Sequence, residues 1–306
     1  MTDLATYALA AGTVLLVGGF AYAAWKDARE REVDDALWQI LGGAGLIIGL
    51  IATAPGGVVP AVLWAVVALF VIQHLFAWDS RLGSSGERYA DLIELVVYVG
   101  VVVLVAVAAA RFGLGAHGVP VAVVAVLVTV LFARGLFEAG ILFGGADAKA
   151  LMIAGVLVPL FPNPLIPPPA VIAPLTSYLP FAVNVLMNAA LFSVAVPVVI
   201  AVRNLRAKEF RGLSAFVGYS IPVDDLPKKF VWVRDPTFGE AREEERNIET
   251  SDDDRRRREA IAADLRSRGI RRIWVTPQVP FLVVMAAGVL GTLVAGNVLF
   301  DLLFRL

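Results

Sequence analysis

Two short stretches set a carboxylic acid at the rim of a long apolar run. In AYAAWKDARERE, Asp27 ends the first such run, and in LFGGADAKALM, Asp147 opens a later one. An aspartate at the mouth of a membrane span costs a few kcal/mol to place there, which makes each a candidate for function. Two carboxyls at one membrane depth can also act together. At about 4 Å and an effective dielectric of about 20 they repel by roughly 4 kcal/mol, on the order of three pK units, so one keeps its proton near neutral pH. The pair then offers an ionised carboxylate to deprotonate water and a neutral acid to protonate a carbonyl oxygen. This is the chemistry of aspartyl hydrolysis, and its titration belongs to the pair.

The neighbours of Asp147 fit that chemistry. Gly144 and Gly145, followed by Ala146, allow a tight turn and close approach of backbone or substrate to the acid. At a helix N-terminus the dipole favours the anionic form of Asp147. A plainer reading stands beside this one. Gly-Gly is then a loop, Asp147 an N-cap and Lys149 an anchor on the basic side of the membrane, while Lys26 to Glu32 is an ordinary stop-transfer flank.

The elements that must carry these acids follow from composition. The chain of 306 residues is 58% hydrophobic, has a mean hydropathy of +0.77, and repeats uncharged runs of roughly 20 residues, the length that crosses a bilayer. A multi-pass bundle of helices is expected, since nothing alternates with the period of an outer-membrane barrel. Eight spans are predicted, at 4–25, 36–54, 58–77, 91–110, 119–142, 148–162, 180–202 and 280–303. The acidic lead-in MTDLATYALA marks the first as a retained anchor and not a cleavable signal.

Basic residues set the orientation. Lys26, Arg29 and Arg31, then Arg81 and Arg88, then Arg134 and Lys149, then Arg203, Arg206, Lys208 and Arg211 all fall on one side; the other carries Arg111 and Arg305. Both termini are therefore expected outside and both acids at the cytoplasmic face of the cell membrane. Residues 204–276 form a charged cytoplasmic insertion of α/β character, with a charged helix from Asp252 to Arg268 and short strands at FVWV and RRIWV. The expected organisation is a bundle over 1–203, this region over 204–276, and a final span within 277–306. Cysteine is absent, which excludes disulfides, thiolate metal sites and thiol catalysis. His74 and His117 make a poor metal set, so neither metal nor cofactor is expected, and a net charge of −1 indicates no nucleic-acid partner.

Taken together, the two acidic stretches resemble the archaeal prepilin and preflagellin peptidases, membrane aspartyl proteases related to the bacterial type IV prepilin peptidases. In that family one aspartate opens a D-x-x-x-R-E-V pattern at the end of a span, matched here by Asp27, Arg31, Glu32 and Val33. A second closes G-x-hydrophobic-D followed by x-K, matched by Gly144, Ala146, Asp147 and Lys149. The late WVTPQVPF, Trp274 to Phe281, also looks like the segment leading into the family's last helix. The resemblance implies that Asp27 and Asp147 are catalytic without metal, and that the substrate is an archaellin or pilin precursor carrying a basic leader before an apolar helix. It implies cleavage at the cytoplasmic face, and without cysteine the bacterial zinc insert and its methyltransferase activity are not expected. Two departures stand out. The spacing of 120 residues between the acids is long and resembles an inserted helix pair near 58–77 and 91–110, and Ala146 replaces the glycine of the stricter GxGD spelling.

The remaining polar residues have structural readings. Asn184 and Asn188 share a helix face and are expected to bond between helices; Asp34 and Asp35 cap the second span; His74 is structural; Glu138 points to the cytoplasmic interface. Asp79, Asp91 and Glu94 surround one loop and could attract a basic leader. Two other function classes fit a polytopic chain: an ion- or proton-coupled transporter with a broken-helix site, or a noncatalytic assembly protein.

Overall fold

The computed structural model describes residues 2–76, 88–115, 118–142, 144–160, 179–233 and 251–304. Asp79, Arg81, His117, Arg305, nearly all of the Pro-rich 162–180 loop and the acidic stretch at 234–250 lie outside the described residues. The chain divides into two compact units, one of Met1–Trp25, Val33–Ala190 and Leu282–Leu306, the other of Lys26–Glu32 and Leu191–Phe281.

Helices dominate the first unit: α1 (Thr2–Glu30), α2 (Asp35–Thr53), α3 (Val58–Phe76), α4 (Arg88–Phe112), α5 (Val121–Glu138), α6 (Gly145–Leu157), α7 (Phe181–Ser193), then α10 (Phe281–Ala295) and α11 (Val298–Phe304). Residues Lys26–Glu32, at the end of α1, group with the second unit. Among the described residues, six helical stretches are long and apolar enough to cross a membrane: Thr6–Glu30, Asp35–Gly56, Val58–Leu75, Glu94–Phe112, Val121–Glu138 and Phe181–Arg206. The protein is thus a multi-pass membrane protein by length and composition of its helices.

The other two expected spans are shorter than the sequence implies. The run at 148–162 yields α6, a helix of 13 residues, roughly 20 Å long against a hydrocarbon core of about 30 Å. It stops because Val158, at φ −135° and ψ 86°, precedes Pro159, and the proline ring disfavours helical geometry in the residue before it. The run at 280–303 yields α10 with 15 residues, broken at Gly296, where φ is 74°. The seventh run is also interrupted: α7 ends at Ser193 and α8 (Ala195–Arg206) follows, because the ring of Pro197 clashes with the carbonyl four residues earlier.

The short α6 is the centre of its unit. Every residue from Ala148 to Leu157 is buried. A Cβ on Gly155 would lie 2.7 Å from Thr129 Cγ2 on α5, one on Gly45 of α2 would lie 2.8 Å from Val156 Cγ1, and one on Gly12 of α1 would collide with the Leu157 carbonyl oxygen. Small residues let three neighbouring helices approach the backbone of α6 closely, the usual device of helix packing in lipid.

In the second unit α8 leads to β1 (Tyr219–Pro222), β2 (Val231–Val233), α9 (Ser251–Ser267) and β3 (Arg272–Pro277). The sheet is antiparallel in the order β1-β3-β2, with Tyr219 opposite Val275 and Val231 opposite Pro277. Ile221, Val223, Leu226, Val231, Ala262, Leu265, Ile273 and Val275 form a core of their own. The charged helix and the strands at FVWV and RRIWV are therefore present, and β1 is an addition: YSIP gives too short an alternation to announce a strand.

Candidate active site

Asp147 is the third residue of α6, in its first turn, where the helix dipole favours negative charge. It is not the N-cap; that position is Gly144, at φ −101° and ψ 135°. The Asp147 N–H donates to the Gly144 carbonyl at 3.1 Å, and the carboxylate folds back so closely that a Cβ on Gly144 would lie 3.0 Å from its Oδ2. A side chain here would press on the acid, and glycine leaves it room. Gly145 begins the helix and Ala146 is half-buried between them.

Lys149 does not reach out as a membrane anchor. It is 3% exposed, and its Nζ pairs with Asp35 Oδ1 at 2.7 Å. Asp35 opens α2, and Asp34, the N-cap residue, makes no side-chain capping bond. The expected double cap is therefore divided: Asp34 holds the backbone position, and Asp35 joins α2 to α6. Residues two apart on a helix do not face each other, so Lys149 fixes the helix that carries Asp147 from another side.

Asp27 lies in the last turn of α1 and is half-buried. Its carbonyl accepts the Arg31 N–H at 3.2 Å. Arg31 has φ of 60°, a left-handed conformation that stops the helix one turn after the acid and is strained for a residue with a Cβ. Its guanidinium lies 5.2 Å from the centroid of the Phe230 ring. Burial pulls the Arg31 guanidinium below its usual range, and the charge of Asp27 opposes that shift. Asp27 and Asp147 fall in different compact units.

Sequence reasoning missed one polar cluster and read only the α7 side of a second. Arg134, read as a cytoplasmic flank, is buried and pairs with Glu138 at 2.6 Å and Glu94 at 3.7 Å. Glu138 accordingly faces Arg134. Beside them His74 Nδ1 donates to the Phe70 carbonyl at 2.7 Å, and Nε2 accepts from the Tyr98 hydroxyl. The (i, i+4) spacing of Arg134 and Glu138 was the available signal. The second cluster closes the break in the last helix. Asn188 Nδ2 donates to Thr292 Oγ1 at 2.9 Å and to the Gly296 carbonyl at 2.7 Å, and Asn297 Nδ2 donates to Asn184 Oδ1 at 2.8 Å. Asn184 and Asn188 thus bond between helices as expected. Val298 N–H donates to Asn188 Oδ1 and Phe300 N–H to Asn297 Oδ1, so side chains occupy backbone groups that the break frees. Among the described residues no group of three or more His, Asp and Glu side chains is placed to hold a metal.

Residues 211–298 match the family model described as Archaeal Peptidase A24 C-terminus Type II. No curated protein matches the chain at a significant level.

Proposed function

We propose that this chain, a member of the archaeal prepilin and preflagellin peptidase family, is an aspartyl endopeptidase that removes the basic leader of archaellin or type IV pilin-like precursors. The family match supports a prepilin-type peptidase, and it is the observation that carries the reading. It covers 211–298, so the catalytic assignment of Asp27 and Asp147, which lie before it, rests on their motifs and on their places at the ends of apolar helices.

In this reading the membrane part comprises 1–203 and 277–306, with 204–276 on the cytoplasmic side and eight apolar segments embedded in the bilayer. A precursor's apolar helix lies in the membrane and its basic leader reaches the cytoplasmic face. The ionised aspartate takes a proton from water as the water oxygen attacks the scissile carbonyl carbon. The neutral aspartate gives its proton to the carbonyl oxygen. Collapse of the tetrahedral diol breaks the C–N bond as the leaving nitrogen takes a proton from one aspartate and a diol hydroxyl returns its proton to the other, so the dyad ends singly protonated as it began. Gly144, Gly145, Ala146 and Lys149 shape and hold the loop and helix around Asp147. No metal, cofactor or methyl transfer enters the cycle.

The test is cleavage of a precursor with a basic leader, in membranes carrying wild type, Asp27→Asn or Asp147→Asn at matched abundance. Wild type is expected to shorten the precursor, and each variant to lose at least a hundredfold in rate, since asparagine keeps the size but can neither act as base nor hold the shared proton. Near wild-type cleavage by either variant would remove that residue from the dyad and favour a transport or assembly role.

A further inference from the structure

The end of α1 is held by residues distant in sequence. Arg31 closes the last turn around Asp27 through its backbone N–H, in a left-handed conformation that something outside the local sequence must stabilise. Its Nε and Nη1 are buried without hydrogen-bond partners. The guanidinium is therefore placed by the Phe230 ring, 5.2 Å away, and by the charge of Asp27.

Phe230 is in turn held at its backbone and at its ring. Its carbonyl accepts the Gln278 N–H at 3.0 Å, just past β3. Gln278 Nε2 donates to Asp254 Oδ2 at 3.2 Å, and the same carboxylate binds Arg258. Arg258, 4% exposed, brings its guanidinium to 5.5 Å from the Phe230 ring. The residue after β3 thus holds the backbone of Phe230 and helix α9 meets its ring, and the same ring meets the side chain that follows α1. Lys26–Glu32 group with Leu191–Phe281 as one compact unit, which is the same relation seen at larger scale.

We infer that Phe230 is a positioning residue for Asp27, acting through Arg31, so that the unit built around β1-β3-β2 sets where the first acid of the dyad is presented. The inference rests on the aspartyl peptidase reading above and gives the 204–276 region a task in it. Cation–aromatic contact suits this purpose because the guanidinium is held over a ring face and not by a bidentate bond to a carboxylate. The ring also walls a cleft of about 710 Å³, shared with Arg29, Glu32 and Lys228, which offers the competing role of direct substrate contact.

The experiment measures kcat and KM for precursor cleavage in membranes with wild type, Asp27→Asn, Phe230→Leu, Phe230→Tyr, Arg31→Met and the Phe230→Leu/Arg31→Met pair. Leucine keeps apolar bulk and removes the ring face, whereas tyrosine keeps the face. Phe230→Leu and Arg31→Met are expected to lower kcat on the order of tenfold, as misplacement of a reacting group does, with KM within about twofold. The double variant should lose no more than the worse single one, and Phe230→Tyr should retain wild-type kcat. A kcat for Phe230→Leu within about twofold of wild type, multiplying losses in the pair, or a loss confined to KM overturns the inference, the last by making Phe230 a substrate contact. Should Phe230→Leu fail to accumulate, Arg31→Lys gives the same readout without touching the ring, because a compact ammonium cannot lie flat on it; unchanged kcat there overturns the inference equally. Cleavage by Asp27→Asn at wild-type rate would instead overturn the functional reading, whatever Phe230 does.

Discussion

At the scale of residues, the acids depend on neighbours whose roles are spatial. Gly144→Ala puts a methyl 3.0 Å from Asp147 Oδ2, tighter than ordinary contact, so the carboxylate must shift by a few tenths of an ångström. Leader cleavage is expected to fall about tenfold or more at unchanged membrane abundance, a comparison that gel shift and immunoblot make together. The Lys149–Asp35 pair gives a second prediction. Asp35 is half-exposed and Lys149 buried, so Asp35→Ala leaves a buried cation uncompensated and is expected to lower stability by about 1–3 kcal/mol. Adding Lys149→Met should recover much of that loss, which thermal unfolding in detergent would show as a partial return of Tm. Asp27 and Asp147 were legible in the sequence because a charge at the edge of an apolar run is conspicuous. The partners of Lys149 and Arg31 were not, since Asp35 and Phe230 are distant in the chain and neither has a spacing that announces contact. A basic residue beside a span reads as an anchor by default, and both Lys149 and Arg134 depart from that default because each has a carboxylate within reach.

At the scale of elements, α6 holds Asp147 by being surrounded. Gly155→Ala would bring a methyl to 2.7 Å from Thr129 Cγ2, and overpacking of this kind costs about 1–3 kcal/mol. The expected result is a lower Tm for Gly155→Ala and partial recovery in Gly155→Ala/Thr129→Ala, which removes both Cγ2 and the Oγ1 that would lie 2.9 Å away. Hydropathy marked α6 and α10 correctly as apolar but overstated their length, because a hydropathy window registers composition and not the local backbone. Pro159 stops α6 through the residue before it. The break at Gly296 is stabilised by asparagines on α7, a tertiary effect that no window on residues 280–303 contains. Those same bonds bear on the transporter alternative: the carbonyl of Gly296 and the N–H of Val298, which a broken-helix ion site would leave facing a cavity, are already taken.

At the scale of the whole molecule, the two units record two different solvents. The helical unit exposes large apolar side chains such as Val14, Ile40, Leu69 and Val107, as lipid-facing surfaces do. Beyond the apolar stretch Leu191–Arg206, which belongs to a candidate span, the second unit has a small core and a charged helix, α9, with the ion pair Arg255–Glu259, as a water-facing domain does. That contrast was readable from charge density, whereas the grouping of Lys26–Glu32 with the second unit was not, because it is set by contacts across the chain. The orientation of the molecule remains a matter of charge asymmetry. Lys26, Arg29 and Arg31 border Asp27, and Arg203, Arg206, Lys208 and Arg211 follow the seventh apolar run, and positive charge resists translocation. Absence of native cysteine makes this directly measurable with single substitutions at exposed positions, Val58→Cys at the start of α3 and Lys208→Cys after α8. A membrane-impermeant thiol reagent applied to intact cells is expected to label Val58→Cys and to spare Lys208→Cys until the membrane is opened. Labelling of Lys208→Cys in intact cells would put the acids on the outer face, where the basic leader of a membrane-inserted precursor does not reach.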